Sequence, residues 1–348
     1  MIKSIRTLSQ QLVNPVFNNP VDLVTWMGAV QAQEYNMCKW AVGIRLQSAT
    51  LADVNKALEK GEIIRTHILR PTWHLVSAKD IRWMLKLSRQ RIKSALTSYG
   101  KGFEVTEELC NKAYSVIERI LEGGKSMTKQ ELGEELSKAG ITDDSTQLSL
   151  VISHAEIEGI LCSGGDKNKK PTYALFEEQV PSAAELSKEE ALARLATVYF
   201  RSHSPANIED FTWWSGLNIT EAKQAISLIQ AELITDTFAS QNLYLHQSWG
   251  GNIKCDKTFH FLPSYDEYLI SYKDRSSVLD KAHYSKAFNT FGIFQPVIKY
   301  NGEVVGNWKK VKKGSKVTLE PTFFKANTRV NKKLMEKAEK RFVEFMQF

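Results

Sequence analysis

Apolar positions recur at helical spacing over residues 22–30 and again over 51–59, where Gly61 ends the run. They then alternate in the manner of a strand over 63–69, break at Arg70-Pro71, and alternate again over 72–76. This order, helices and then a hairpin, returns twice. Residues 106–122 are periodic and stop at Gly123-Gly124. Ser126 to Lys129 opens a short helix through Lys138 that Gly140 closes, and 145–158 is a third helix. Strands follow at 160–163 and 172–175, and residues 164–171 between them predict a long, flexible tip bearing Lys167, Lys169 and Lys170. The last copy has a helix over 189–201 and a second that Ser204-Pro205 opens and Gly216 ends. A third, capped at Thr220-Glu221, reaches Glu232, and strands at 233–238 and 243–246 are joined by a turn at 239–242. From Cys255 onward the pattern turns strand-like, at 258–262, 292–298, 304–308 and 316–320. Gly302 and Gly314 mark turns, and an amphipathic terminal helix follows over 331–346.

Two or three helices followed by a hairpin is the winged helix-turn-helix arrangement, in which the helix before the wing enters a groove of DNA. The predicted fold class is therefore α+β: three tandem winged-helix units over 1–80, 81–182 and 183–250, then a β-barrel-like domain with a terminal helix over 251–348. Not every copy need touch DNA. The first carries little basic charge at its hairpin tip, which suits scaffolding.

Charge sharpens the picture by its location. Residues 299–348 hold 13 Lys and Arg against 5 Glu, whereas the remaining 298 residues hold 33 basic and 34 acidic side chains. A segregated basic block attracts polyanions by releasing their condensed counterions. The cluster Lys309, Lys310, Lys312 and Lys313 at a strand end is its densest part, and with Lys167, Lys169 and Lys170 it forms the candidate phosphate-contacting set. Cys38, Cys110, Cys162 and Cys255 are widely spaced and form no Cys-x-x-Cys pair, which argues against a disulfide framework or zinc knuckle and for a reducing, cytoplasmic setting. The seven histidines are scattered, and no phosphate-cradling, dinucleotide-binding or nucleophile-elbow motif occurs, so neither cofactor nor metal is expected. No run approaches the roughly 20 apolar residues that span a bilayer. No long heptad offers a dimerisation helix, so a monomer on double-stranded DNA is expected.

Five short segments, in order, carry a resemblance. They are Gln31-Ala32-Gln33; Arg65-Thr66 with Arg70-Pro71-Thr72-Trp73-His74-Leu75; Asp210-Phe211-Thr212-Trp213-Trp214-Ser215-Gly216; Leu262-Pro263-Ser264-Tyr265-Asp266-Glu267-Tyr268-Leu269; and Val305-Gly306-Asn307-Trp308. Together they resemble the AlkZ-like and YcaQ-like winged-helix DNA glycosylases of bacteria, over nearly the whole chain. The resemblance implies tandem winged helices with a C-terminal β-barrel, and removal of cationic N-alkylated purines, with unhooking of interstrand crosslinks in some members. It also implies that Gln31 and Gln33 are the catalytic pair. Pro71 departs from the pattern, where a small residue such as glycine is usual, and this bears on the contacts of the first hairpin.

Two uncharged amides suit that chemistry. Alkylation at N7 leaves the purine cationic, so its departure yields a neutral base and needs no strong general acid. The remaining demand is a placed water and negative dipoles beside an oxocarbenium-like sugar, a demand that other glycosidases meet with carboxylates. Arg65, Arg70 and His74 of the first hairpin are candidate DNA contacts, though His74 equally suits a strand residue bonded inside the core. Asp266 reads as a turn or capping residue, and Trp213 and Trp214 as core. The competing reading is a non-catalytic winged-helix DNA-binding protein or regulator that uses the same surface for phosphates.

Overall fold

Capping side chains set many of the helix starts in this computed structural model, which describes residues 1–238, 241–250, 256–314 and 316–346, with the backbone alone at 236–238, 241, 313 and 316. The chain divides into two compact units, residues 55–191 and residues 1–54 with 192–348.

In the unit of residues 55–191, Thr106 caps the helix Glu107–Leu121, and Thr128 with Glu131 forms a reciprocal capping box at Lys129–Lys138. Asp144 caps Ser145–Glu158, which ends at Gly159. The strands Leu161–Ser163 and Thr172–Leu175 then pair antiparallel, and Met127–Thr128 adds a third strand. These are the elements expected of the second repeat. Its tip differs from expectation. Lys167 and Lys170 exchange both backbone hydrogen bonds, at 2.9 and 3.0 Å, around Asn168 and Lys169, both at positive φ. That is a tight, primed-type turn rather than a long flexible loop. The helix Ile81–Gly100 packs on Ser145–Glu158, and the hairpin Ile63–His67 with Trp73–Ser77 lies beside Leu161–Ser163, where the Arg65 N–H donates to Ser163 Oγ at 2.8 Å.

In the other unit, the helix Lys188–His203 enters from residue 192 and is followed by Ile208–Ser215 and Ile219–Leu228. Asn207 and Asn218 cap the last two, not Ser204-Pro205 and Thr220-Glu221 as the pattern predicted, because asparagine's side-chain oxygen already satisfies the first free N–H groups. The hairpin Leu233–Phe238 with Gln241–His246 follows, while Ala239 and Ser240 of its expected turn lie outside the described residues.

The expected β-barrel is not closed. Phe259–Leu262, Val297–Tyr300, Glu303–Lys313 and Lys316–Phe323 form one open antiparallel sheet in which each strand pairs with the next along the chain. Closed barrels with a side-chain-filled interior use about eight strands. Here the terminal helix Lys332–Met346 packs on Phe259–Leu262, on Lys316–Phe323 and on the helix Tyr35–Gly43 instead. Phe342 sits 5.1 Å from the Trp40 ring and 5.3 Å from Trp308, and Phe345 lies so close to Gly43 that a Cβ there would meet its ring at 2.2 Å. Cys38, Cys110 and Cys162 are buried free thiols, and Cys255 lies outside the described residues. Among the described residues no helix is long and apolar enough to cross a membrane.

Candidate active site

Gln31 and Gln33 lie on the short connection between the helices Pro20–Met27 and Tyr35–Gly43, and both helix ends are tightly specified. Gly28 closes the first at φ 76, and a Cβ there would stand 2.4 Å from Val198 Cγ1, so only glycine fits. Glu34 caps the second, its carboxylate accepting the N–H groups of Asn36 and Met37 at 3.4 and 2.6 Å. Between these fixed points the chain passes from interior to surface. Ala29, Val30 and Ala32 are buried, Gln31 is 3% exposed, and Gln33 is exposed. The two amides therefore differ: one is open to solvent and one is held within the fold.

Behind Gln31 lies a buried polar network that starts at Glu267. Its Oε1 accepts the Gln31 N–H at 2.5 Å, and its Oε2 accepts the Ser271 hydroxyl and lies 3.7 Å from His203 Nε2. Burial alone would push the Glu267 carboxyl up. The His203 ring, the Ser271 hydroxyl and the Gln31 N–H outweigh it and hold the pKa at about 2. Burial drives His203 down, against the pull of Glu267. The neighbouring Asp266 caps the helix Glu267–Ile270 and accepts two hydrogen bonds from Arg45, at 2.8 and 2.9 Å, with both side chains fully buried. Gln10 links the parts, accepting from Arg45 Nη2 at 3.1 Å and donating to the Glu267 carbonyl and the Tyr272 hydroxyl.

The resemblance singled out Gln31 and Gln33, and the sequence read Asp266 as a turn or capping residue, which it is. It missed Glu267, Arg45 and His203. The available signal was a charged residue set inside an apolar run: Arg45 between Ile44 and Leu46, and Glu267 before Tyr268-Leu269-Ile270.

The other predicted site residues fall in varied settings. Arg65 is 8% exposed, with its guanidinium 4.4 Å from the Trp73 ring centre. His74 is fully buried. Its Nδ1–H donates to the Thr72 carbonyl at 2.9 Å, which leaves Nε2 to accept from half-buried Arg70 at 3.4 Å. Lys169 and Lys170 are exposed at their turn, whereas Lys167 pairs with Glu131. Lys309, Lys310 and Lys312 are exposed on Glu303–Lys313, where Lys309 pairs with Glu320 at 3.1 Å. Lys313 ends that strand with its side chain outside the described residues. Among the described residues, no three His, Cys, Asp or Glu side chains gather as a metal would require.

The model of the AlkZ-like DNA glycosylase family matches residues 24–345, which takes in the glutamine pair, the Asp266-Glu267 network and the C-terminal sheet. The chain belongs to this family of DNA glycosylases. It is 23% identical over 316 residues to an interstrand DNA cross-link repair glycosylase of Streptomyces sahachiroi, covering 86% of this chain and 84% of that protein. The solved structure of the Streptomyces sahachiroi DNA glycosylase AlkZ has the same fold. It superposes with a TM-score of 0.81 at 22% identity, covering 99% of this chain and 95% of the other.

Proposed function

We propose that this chain is a monofunctional DNA glycosylase that hydrolyses the N-glycosidic bond of cationic N-alkylated purines in double-stranded DNA, with Gln31 and Gln33 at the reacting sugar. The observation that carries the reading is the setting of these two residues, Gln33 exposed and Gln31 buried, on a connection fixed by Gly28 and Glu34. Gln33, open to solvent, is the amide that holds the attacking water through its carbonyl. Gln31 lends its dipole from the interior side, where low dielectric strengthens it. A neutral amide is a poor base, so the pair serves a leaving group already activated by positive charge and fails with an ordinary purine.

The division into three winged-helix units and a C-terminal sheet domain, with boundaries near 80, 182 and 250, belongs to the same reading. Duplex DNA is engaged through Arg70, the turn lysines 169 and 170, and Lys309, Lys310, Lys312 and Lys313, with the protein acting as a monomer. The Streptomyces relative's name makes crosslinked DNA a substrate to assay. The burial of Gln31 favours one rival, a non-catalytic DNA binder in which that amide is structural.

A base-release assay on duplexes carrying N7-methylguanine, an interstrand crosslink or unmodified guanine separates the two. The parent should release the cationic base and spare guanine, and Gln31→Ala or Gln33→Ala should lower release by at least about 100-fold, the scale of one lost oxyanion donor, with duplex binding kept. Release by both variants at the parent rate would leave only the binder.

A further inference from the structure

Glu267 opens the helix Glu267–Ile270 and is fully buried, and while its Oε2 takes the Ser271 hydroxyl beside His203, its Oε1 is given to one backbone group, the Gln31 N–H. We propose that Glu267 is a positioning residue of the glycosylase site: its buried carboxylate, braced by Ser271 and anchored beside the Arg45–Asp266 pair, fixes the Gln31 peptide and thereby the aim of Gln31 and Gln33. The assignment rests on the function proposed above.

Three observations support it. The contact is a buried hydrogen bond to a charged acceptor, the stronger kind, and at 2.5 Å it is short. The backbone that carries the carboxylate is held on both sides. Its residue starts a helix capped by Asp266, Asp266 is gripped by both Arg45 nitrogens, and the next residue, Tyr268, donates its hydroxyl to the Gly302 carbonyl at 2.7 Å. The anchored peptide also lies at Gln31 itself and two residues before Gln33, so a rotation there displaces both amides. Displacements of about 1 Å cost catalysis on the order of 100-fold. Burying a carboxylate is costly, and an amide in the same place would accept the same N–H without the charge. The charge is therefore explained by rigidity of aim and not by mere satisfaction of a donor.

The test uses the full chain and two readouts. Hydrogen exchange of peptides spanning residues 29–34 reports the anchoring directly, and single-turnover release of N7-methylguanine reports its consequence. In Glu267→Gln, which keeps shape and acceptor but loses charge, exchange at Gln31 should accelerate at least about tenfold, the loss expected when a charge-assisted bond becomes a neutral one. Release should slow by about 10- to 100-fold, with duplex affinity within about twofold of the parent. Ser271→Ala, a milder change, should move both readouts in the same direction by less. The double variant Glu267→Gln with Gln31→Ala should lose less than the sum of the two single losses, since with the Gln31 amide gone only the aim of Gln33 is left for Glu267 to set. Unchanged exchange in Glu267→Gln, or losses that simply add in the double variant, would overturn the assignment. If the parent releases no base from any duplex, the function reading fails by itself, while the exchange data still decide whether Glu267 fixes the segment.

Discussion

Arg45 and Asp266 are both inaccessible to solvent and bonded through two oxygens and two nitrogens, so their value lies in being present together. Asp266→Ala would strand a buried guanidinium, still hydrogen-bonded to the Ala41 carbonyl and Gln10, at a cost of about 3–5 kcal/mol. Arg45→Met with Asp266→Leu removes both charges and should cost far less than that. Urea midpoints of both single variants and the double variant measure the difference, and a double-variant loss equal to the sum of the single losses would mean that the pair is not coupled. At this scale Gln31-Ala32-Gln33 says little by itself, and it becomes a candidate only through the resemblance carried by the five ordered segments. The sequence is opaque where the partner is remote. Glu267 stands 236 positions from the N–H it accepts, and nothing local distinguishes it from any carboxylate early in a helix. His74 is bonded inside the core, as one of its two readings had it, but composition could not tell that Arg65 turns inward while Lys169 and Lys170 stay exposed, because that sorting is done by packing against Trp73.

Among the elements, caps and glycine stops placed the helices Glu107–Leu121, Lys129–Lys138 and Ser145–Glu158 within a residue or two, because a side chain that satisfies free N–H groups is a local signal. The helix Ile81–Gly100 escaped the reading although its buried positions Ile81, Met84, Leu85, Ser88, Ile92 and Leu96 keep helical spacing. Arg82, Lys86, Arg89, Gln90, Arg91 and Lys93 dilute its apolar stripe. The barrel expectation failed for a different reason. Strand patterns report which residues face a core, not whether the sheet's edges meet or a helix covers it. The long hairpin Glu303–Lys313 with Lys316–Phe323 does present the predicted lysines, and alternation puts Lys310 and Lys312 on one face and Lys309 on the other. Changing Lys309, Lys310, Lys312 and Lys313 to alanine together should reduce the slope of log affinity against log salt by about 3 to 4, near 0.9 for each phosphate no longer neutralised. A slope equal to the parent's, measured on an undamaged duplex by fluorescence anisotropy, would place the phosphate-binding groups on another surface.

For the molecule as a whole, folding imposes one protonation state on many histidines at once. Burial lowers His154, His203, His246 and His260 alike, and buried Lys299 pushes His260 down further. The hydrogen bond that His260 Nε2–H donates to the Leu12 carbonyl, at 2.6 Å, pulls the other way without overcoming burial, and His203 lies stacked on the buried Tyr199 ring. When the chain unfolds, each ring regains its ordinary value near 6.5 and takes up a proton that the folded form refuses. Protons therefore bind the unfolded state preferentially, and stability must fall as pH drops through 6.5. Each of these rings contributes up to about 1.4 kcal/mol per pH unit until its folded value is reached. Glu267 acts with the same sign lower on the scale. Its contribution is complete above about 4.5 and is lost as pH falls toward about 2. Urea midpoints should thus be level from pH 8 to 7, decline from 6.5 to 5, and decline again below 4.5. Glu267→Gln should flatten the lower decline and leave the upper one in place, whereas His260→Gln should soften the upper one. A midpoint constant from pH 7 to 5 would mean that these rings are charged in the folded protein, and the neutral packing described for His203 and His260 would have to be given up.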